Sequence, residues 1–386
     1  MKQGINLCNN LKSIRTRLGM SQQDLANIAG VTRQTISGVE SGQYTPNVAI
    51  TLRLAKALGC KVEDLFWMEE DLPTVEAVVT KTVLTKGKLR VSLARVGGQW
   101  IAHPLIGKDA FRTEMIPVDA ETIYCNNLEE EAFDQMYTSK ILVRVLDDTE
   151  KLQNSVSIAG CTPIISLWAK ASERWHPQLR VHYTFANSMD ALRSLARGEV
   201  HIAGMHLYDP KTQEYNIPFV REVLSDKKAV LISIGVWEEG LLVPLGNPLK
   251  IKTIADLVEA KATIVNREIG AGSRMILERQ MELEQLPASA VQGFEHTVRS
   301  HQDVATAVIS GIADAGISTA SIAAMFGLGF VPLHSSRYDL VVLNSYLDEP
   351  PVQQLLGTLE HRFVKSQLEI LGGYDTSSLG EVVASI

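Results

Sequence analysis

Arg33 and Gln34 open a segment whose residue types suit it to reach base edges in a DNA groove. An arginine fork matches O6 and N7 of guanine, and a glutamine amide matches N6 and N7 of adenine. Thr32, Thr35 and Ser37 add hydroxyls nearby. The run Ser21 to Ser41 must position them. Ser21 can cap a first helix while Asp24, three residues on, reaches back to the free amides, forming a capping box. Ala26 is small where two helices must cross closely, and Gly30 supplies a left-handed turn. Thr32 then caps a second helix, and Leu25, Val31, Ile36 and Val39 supply the apolar inner side. The spacing predicts two helices joined by a tight turn, the second free to enter the major groove.

A second set of residues suits a small anion. From about Ser155 onward, strand-like and helix-like segments alternate, the pattern of a parallel sheet covered by helices. Ligands of such sheets sit beyond the carboxyl ends of the strands, where helix N-termini present free amides. Three junctions there carry small polar residues: Ala159 to Pro163, Asn187 to Met189, and Asn266 to Arg274. Ser318 ends a further strand. Gly160, Gly270 and Gly272 would let the backbone approach a ligand, and Thr162, Ser188, Ser273 and Ser318 offer hydroxyls. Arg267 and Arg274 offer a charged fork for an oxyanion or carboxylate. Gly270 and Gly272 could equally serve only to shape a turn.

Other chemistry-bearing residues are expected to be structural. A thiolate of Cys161 at a helix N-terminus would repel the anion, so a neutral, packed cysteine is expected. His206 and Asp209 have no third ligand at usable spacing, so no metal site is predicted. His201 sits in an apolar strand, and Trp168, Trp175 and Trp237 are expected in the core.

The chain has 386 residues, 45% of them hydrophobic and 21% charged, which suits a globular protein of two or three domains. Its longest apolar run, residues 229–237, is strand-sized rather than membrane-spanning. The N-terminus lacks the apolar core of an export signal, and four scattered cysteines suit a reducing compartment, so a cytoplasmic location is expected. The net charge of −7 is unevenly spread: residues 1–66 hold eight Lys/Arg against four Asp/Glu, the remainder 29 against 40. A basic head on an acidic body suits a DNA reader joined to something that does not touch DNA.

Three domains follow. Residues 1–68 form a five-helix, all-α head, with helices over 9–18, the two described above, 48–58 and 62–67. Residues 72–150 form a small, mostly β connecting module, with strands over 75–84, 89–96, 100–105 and 141–146, a Gly97-Gly98 turn and a short helix over 129–136. Residues 153–386 form a two-lobed α/β domain, its lobes joined by strands near 230–244 and 338–343.

The head resembles the lambda-repressor/Cro-like (XRE) helix-turn-helix family. That resemblance implies phosphate anchoring by Arg15 and Gln22 and base reading by Arg33, Gln34 and position 38. Gly38 departs from it, having no side chain to read a base and costing about 1 kcal/mol against alanine in mid-helix. The stretch from about 153 resembles type II periplasmic-binding-protein-like domains related to molybdate-binding proteins. That implies a hinged clamp for a small anion, molybdate or a molybdenum-cofactor compound, with no other cofactor.

Together these readings point to a one-component regulator, a homodimer that binds a double-stranded DNA operator under control of the anion, with no membrane partner. Two alternatives stay open: an enzyme with its cleft in the α/β domain, or a regulator whose C-terminal half is a ligand-free dimerisation scaffold. Against an enzyme, the sequence has no P-loop, His-Glu-x-x-His or serine elbow.

Overall fold

A computed structural model describes residues 7–68, 72–81, 88–111, 115–123 and 140–386. The chain divides into two compact units, Met1–Pro73 and Thr74–Ile386. The expected helix over 129–136 lies outside the described residues.

In the first unit, strand β1 (Leu7–Asn9) precedes helices α1 (Leu11–Arg17), α2 (Gln22–Ala29), α3 (Arg33–Glu40), α4 (Val48–Leu58) and α5 (Val62–Leu65). Helix α5 is shorter than its periodicity suggests. The chain turns extended at Phe66 and forms β2 (Phe66–Met68), antiparallel to β1 with Trp67 opposite Cys8. Ser21 and Asp24 form the capping box, Gly30 is left-handed at φ 64°, and the Thr32 hydroxyl accepts from the amide of Thr35. Leu11, Leu25, Ile36, Leu54 and Leu65 are fully buried where the helices meet, each stabilising the head by about 1.5–3 kcal/mol. Gly38 has a packing reason: a Cβ there would lie 3.1 Å from Cβ of Tyr44, whose amide donates to the Gly38 carbonyl. The helix cost of this glycine is offset by the loop it lets fold back.

The second unit begins with a closed barrel of β3 (Thr74–Val79), β4 (Arg90–Val96), β5 (Gln99–Pro104), β6 (Ala120–Thr122) and β7 (Lys140–Val145). Gly97 and Gly98, at φ 55° and 77°, make the β4–β5 turn, a conformation that side chains resist. Val91, Leu93, Ala102, Val143 and Val145 fill the barrel. Ala94, Val96 and Ile101 instead join the apolar core of the first lobe, so alternation along β4 and β5 fuses barrel to clamp. The barrel also reaches the second lobe: Lys108 contacts Asp303 at 3.0 Å, and Asp109 lies 3.7 Å from Arg299.

Where barrel meets first lobe, His103 and His182 stack with ring centroids 4.3 Å apart. Burial, helped by Lys81 and Arg180 and opposed by Asp109, pushes the pKa of His103 down to about 3. Such a histidine is neutral when folded and takes a proton only on unfolding. Its contribution is therefore intact at neutral pH and is lost as pH falls from about 6.5 toward 3. Acidification from pH 7 to pH 4 is expected to cost this unit on the order of 3 kcal/mol through His103. Urea titrations of His103→Gln should show a flatter pH dependence; an unchanged slope would refute the assignment.

Helix α6 (Thr149–Gln153) leads into the first lobe: β8 (Ser155–Gly160), α7 (Ile164–Ser172), β9 (Arg180–Phe185), α8 (Ser188–Ala196), β10 (Ile202–Met205), the hairpin β11 (Tyr208–Asp209) and β12 (Glu214–Tyr215), and α9 (Ile217–Leu224). Strand β13 (Ala229–Val243) crosses to the second lobe: α10 (Ile254–Glu259), β14 (Ile264–Arg267), α11 (Gly272–Leu283), β15 (Thr297–Val298), α12 (His301–Ile309), β16 (Ala315–Thr319) and α13 (Ala320–Phe326). Strand β17 (Gly329–Leu343) returns, and α14 (Asn344–Leu347), α15 (Pro350–Leu356), α16 (Arg362–Leu371), β18 (Tyr374–Asp375) and β19 (Val382–Ser385) complete the first lobe.

One sheet runs through both lobes in the order β15-β14-β16-β13-β17-β10-β8-β9. It is mixed rather than wholly parallel: each lobe keeps parallel pairs (β8 with β9 and β10, β14 with β15 and β16), while β13 and β17 lie antiparallel between them. Register shifts at Ser233/Gly235 and Glu239/Gly240 interrupt the long pair, as bulges do where strands bend. Trp168 is buried and donates to Thr358, as expected of a core tryptophan. Trp175 is 37% exposed and rests on His361 instead, because it lies past the end of α7.

Candidate functional site

On the head, Thr32, Arg33, Gln34 and Ser37 are exposed and Thr35 is half-buried, so the start of α3 presents its polar side chains to solvent. Arg15 is placed differently from the expectation of a phosphate anchor. It is only 7% exposed, with its guanidinium bonded to Glu40 at 2.6 Å and to the Met20 carbonyl. Gln22 donates to the other Glu40 oxygen at 2.8 Å. Arg15 is thus buried in a tie between α1 and the end of α3, while Gln22, half-buried, ties α2 to the same glutamate. Their role in this structure is to fix the recognition helix.

The cleft between the lobes gathers residues from β8, β13, β14, β16 and β17, from the segment just after β10, and from the starts of α8, α11 and α12. Gly160 ends β8, and a Cβ there would lie 2.7 Å from the Tyr338 hydroxyl. At Gly272 a Cβ would lie 2.2 Å from the His206 carbonyl oxygen and 2.7 Å from its Nε2. Both glycines therefore make room for cleft side chains. Ser188 accepts from the His206 amide at 3.2 Å, and its hydroxyl lies 3.3 Å from the ring Nδ1. Ser318 holds Nδ1 of His301 at 3.0 Å, and the Ser273 hydroxyl donates to Glu239. Thr162 is fully buried and its hydroxyl caps the Ile164 amide.

The two arginines part company. Arg267 is fully buried; one of its nitrogens donates to the Arg299 carbonyl at 2.7 Å. Arg274 is bonded to Glu278 at 2.7 Å, lies over the ring of Phe294 and donates to the Arg267 carbonyl at 3.3 Å. Its guanidinium is thus engaged by protein groups, and it reaches the cleft through the backbone of Arg267. Gly270, at φ 90°, belongs to a latch at the mouth. Its carbonyl accepts from the Met189 amide at 3.2 Å, and the Asn187 amide donates to Glu268 at 3.0 Å.

Several residues at the centre lay outside the sequence reading of the site. His206, expected as a loop histidine, is buried, with Nδ1 3.6 Å from Sγ of Cys161 and Nε2 3.5 Å from Glu239. Cys161 is packed, as expected, but against these groups. Trp237 is buried with its ring against His206, His301 and Tyr338. Eight polar atoms of this buried cluster make no hydrogen bond to any described residue: Nε2 of His206 and of His301, Nε1 of Trp237, Oε2 of Glu239, Nε and Nη1 of Arg267, and the hydroxyls of Ser336 and Tyr338. Such atoms cost about 1–3 kcal/mol each if left unpaired, so their concentration in one interior marks a ligand site.

The electrostatics are tightly balanced. Burial, the largest single influence on His206, works to strip its proton; the charges of Glu239 and Cys161 and the hydrogen bonds to both together outweigh it and raise the pKa to about 10. Burial works to raise the carboxyl of Glu239, but His206 and Ser273 hold it below the usual range. Burial, with the charges of Arg267 and His206, keeps His301 neutral. Burial also lowers Arg267, against the pull of Cys161, Glu268, Glu239 and Asp303.

A helix-turn-helix family model matches residues 11–65, and a PBP superfamily domain model matches residues 169–360. The chain belongs to the helix-turn-helix (XRE-type) transcriptional regulators and carries a periplasmic-binding-protein-like domain behind its head. The HTH-type transcriptional regulator YgzD of Bacillus subtilis (strain 168) is 44% identical over 63 residues, which cover 16% of this chain and 96% of YgzD. The uncharacterized protein YvgK of the same organism is 35% identical over 199 residues; the match covers 52% of this chain but only 64% of YvgK. The sulfate-binding protein SubI from Mycobacterium tuberculosis H37Rv aligns with 58% of this chain and 87% of its own, with a TM-score of 0.46 at 13% identity. No helix among the described residues is long and apolar enough to cross a membrane.

Proposed function

We propose that this regulator is a one-component sensor whose DNA affinity is set by a small anionic ligand enclosed between the lobes. Molybdate, a related oxyanion or a molybdenum-cofactor compound is the ligand class. The observation that carries this reading is the group of buried polar atoms on Trp237, Arg267 and His301 that make no hydrogen bond to a described residue and can each donate one. An acceptor-rich ligand satisfies such a set. Arg267 takes the role that Arg274 was expected to share. The protein acts as a homodimer, since paired recognition helices must meet half-sites about 34 Å apart.

A 100-fold change in operator affinity requires about 2.7 kcal/mol of coupling. Operator DNA selected from a random library, titrated with the full chain with and without saturating molybdate, tungstate, sulfate or phosphate, is expected to show such a change for at least one anion. Equal affinities across the panel would end the sensor reading.

A second reading rests on the series Cys161, His206, Glu239, in which a thiol, a base and an orienting carboxylate stand in sequence. Under it the cleft is a thiol enzyme. Incubation of candidate ligands with the full chain, followed by product analysis, separates the two: an unchanged ligand supports the sensor.

A further inference from the structure

Cys161, His206 and His301 each offer one potential ligand atom, and these atoms all lie within 4.8 Å of one another in a fully buried interior. Zinc bonds of about 2.3 Å to sulfur and 2.0–2.1 Å to nitrogen, at tetrahedral angles, place a sulfur and a nitrogen about 3.6 Å apart. Sγ of Cys161 and Nδ1 of His206 are 3.6 Å apart. Both belong to the first lobe. His301 opens α12 of the second lobe, so a bond to it spans the cleft. The supports also match. A metal-bound histidine is ordinarily oriented by a partner on its other ring nitrogen; Glu239 faces Nε2 of His206 at 3.5 Å, and Ser318 holds Nδ1 of His301 at 3.0 Å. That leaves Nε2 of His301 with no hydrogen bond to a described residue.

From this geometry we infer that the clamp binds a divalent ion of the zinc type through Cys161, His206 and His301, and that the anion occupies its fourth coordination position. One thiolate and two imidazoles suit zinc, cobalt or nickel better than the hard, oxygen-seeking magnesium or calcium. Three protein ligands leave a position for an outside donor, and the unpaired groups of Arg267, Trp237 and Tyr338 adjoin it to bond that donor's remaining oxygens. Binding joins the lobes directly, with the Cys161 thiol and the ligating ring nitrogens giving up any proton they carry. This inference rests on the sensor reading for its consequence, though not for the metal site itself.

The full chain, stripped with a chelator and titrated with Co(II), tests it. The expected result is one cobalt per chain, a thiolate-to-cobalt charge-transfer band and the intense visible absorption of a tetrahedral site. Cys161→Ser should abolish the charge-transfer band. His301→Ala should weaken zinc binding, measured by competition, by at least about tenfold while the metal-free variant melts with the parent. No band, or a band that survives Cys161→Ser, overturns the site. Operator titrations separate the two readings. If molybdate shifts operator affinity equally in stripped and zinc-loaded protein, the metal's role in anion binding falls and the sensor stands. If cobalt binds through Cys161 yet neither metal nor any anion alters operator affinity, the metal site stands and the sensor falls.

Discussion

Operator binding will fall by two orders of magnitude or more when Arg33 and Gln34 are both replaced by alanine, with no loss of head stability. Each bidentate base contact is worth about 1–3 kcal/mol, so two together reach about 100-fold at the low end. Both side chains are exposed at the start of α3, whereas the apolar side of that helix rests on Ile36 and Val39. Removing the outer groups therefore leaves the packing intact. Fluorescence anisotropy on operator DNA, alongside thermal melting of the same variant, decides it. A double variant that still binds the operator at parental affinity would remove α3 as the reader. Since Gly38 has no side chain and a Cβ there would press on Tyr44, base reading is expected to concentrate at the start of the helix.

Replacing Glu239 by alanine will cost the second unit about 3–5 kcal/mol, the usual penalty for breaking a buried ion pair from one side. Glu239 is fully buried in a bulged stretch of β13, receives the Ser273 hydroxyl and faces His206. Without it, His206 must shed its proton or carry an uncompensated charge in a closed interior. The double variant Glu239→Ala with His206→Leu should be less damaged than the sum of the single changes, because it leaves no buried charge behind. A double-mutant cycle in urea measures the difference. Simple additivity would show that the two side chains do not act as a pair.

The head was legible in the sequence because its determinants are local. Capping boxes, a left-handed glycine and helical spacing act over three or four residues, and Ser21, Asp24, Gly30 and Thr32 stand in the structure where that spacing puts them. The alternation of strands and helices in the clamp was legible for the same reason. The heart of the cleft was not. Cys161, His206, Trp237, Glu239, His301 and Tyr338 are single polar or aromatic residues set into apolar stretches up to 177 positions apart, and only the crossing of β13 and β17 assembles them. One signal was present: Glu238 and Glu239 interrupt a largely apolar strand, and whichever of two neighbouring charges points inward needs a buried partner. Arg15 and Arg274 misled in the opposite direction. An arginine in a motif reads as a free cation, yet each here has a glutamate within 2.7 Å.

The first turn of α12 faces two ways. His301 stands in the cleft, while Asp303, two residues on, caps the helix with Ser300 and meets Lys108 of the barrel. The barrel is fused to the first lobe and touches the second only lightly, so it behaves as a caliper on the gap between them. When the lobes part, the Lys108 and Asp109 contacts are stretched along with the latch at the cleft mouth. As half-exposed ion pairs they are worth at most about 1 kcal/mol each, which limits what they transmit to roughly a 30-fold change in an equilibrium. That is a gentle spring, set in the 3-10 turn Gly107–Ala110 that follows β5 of the barrel.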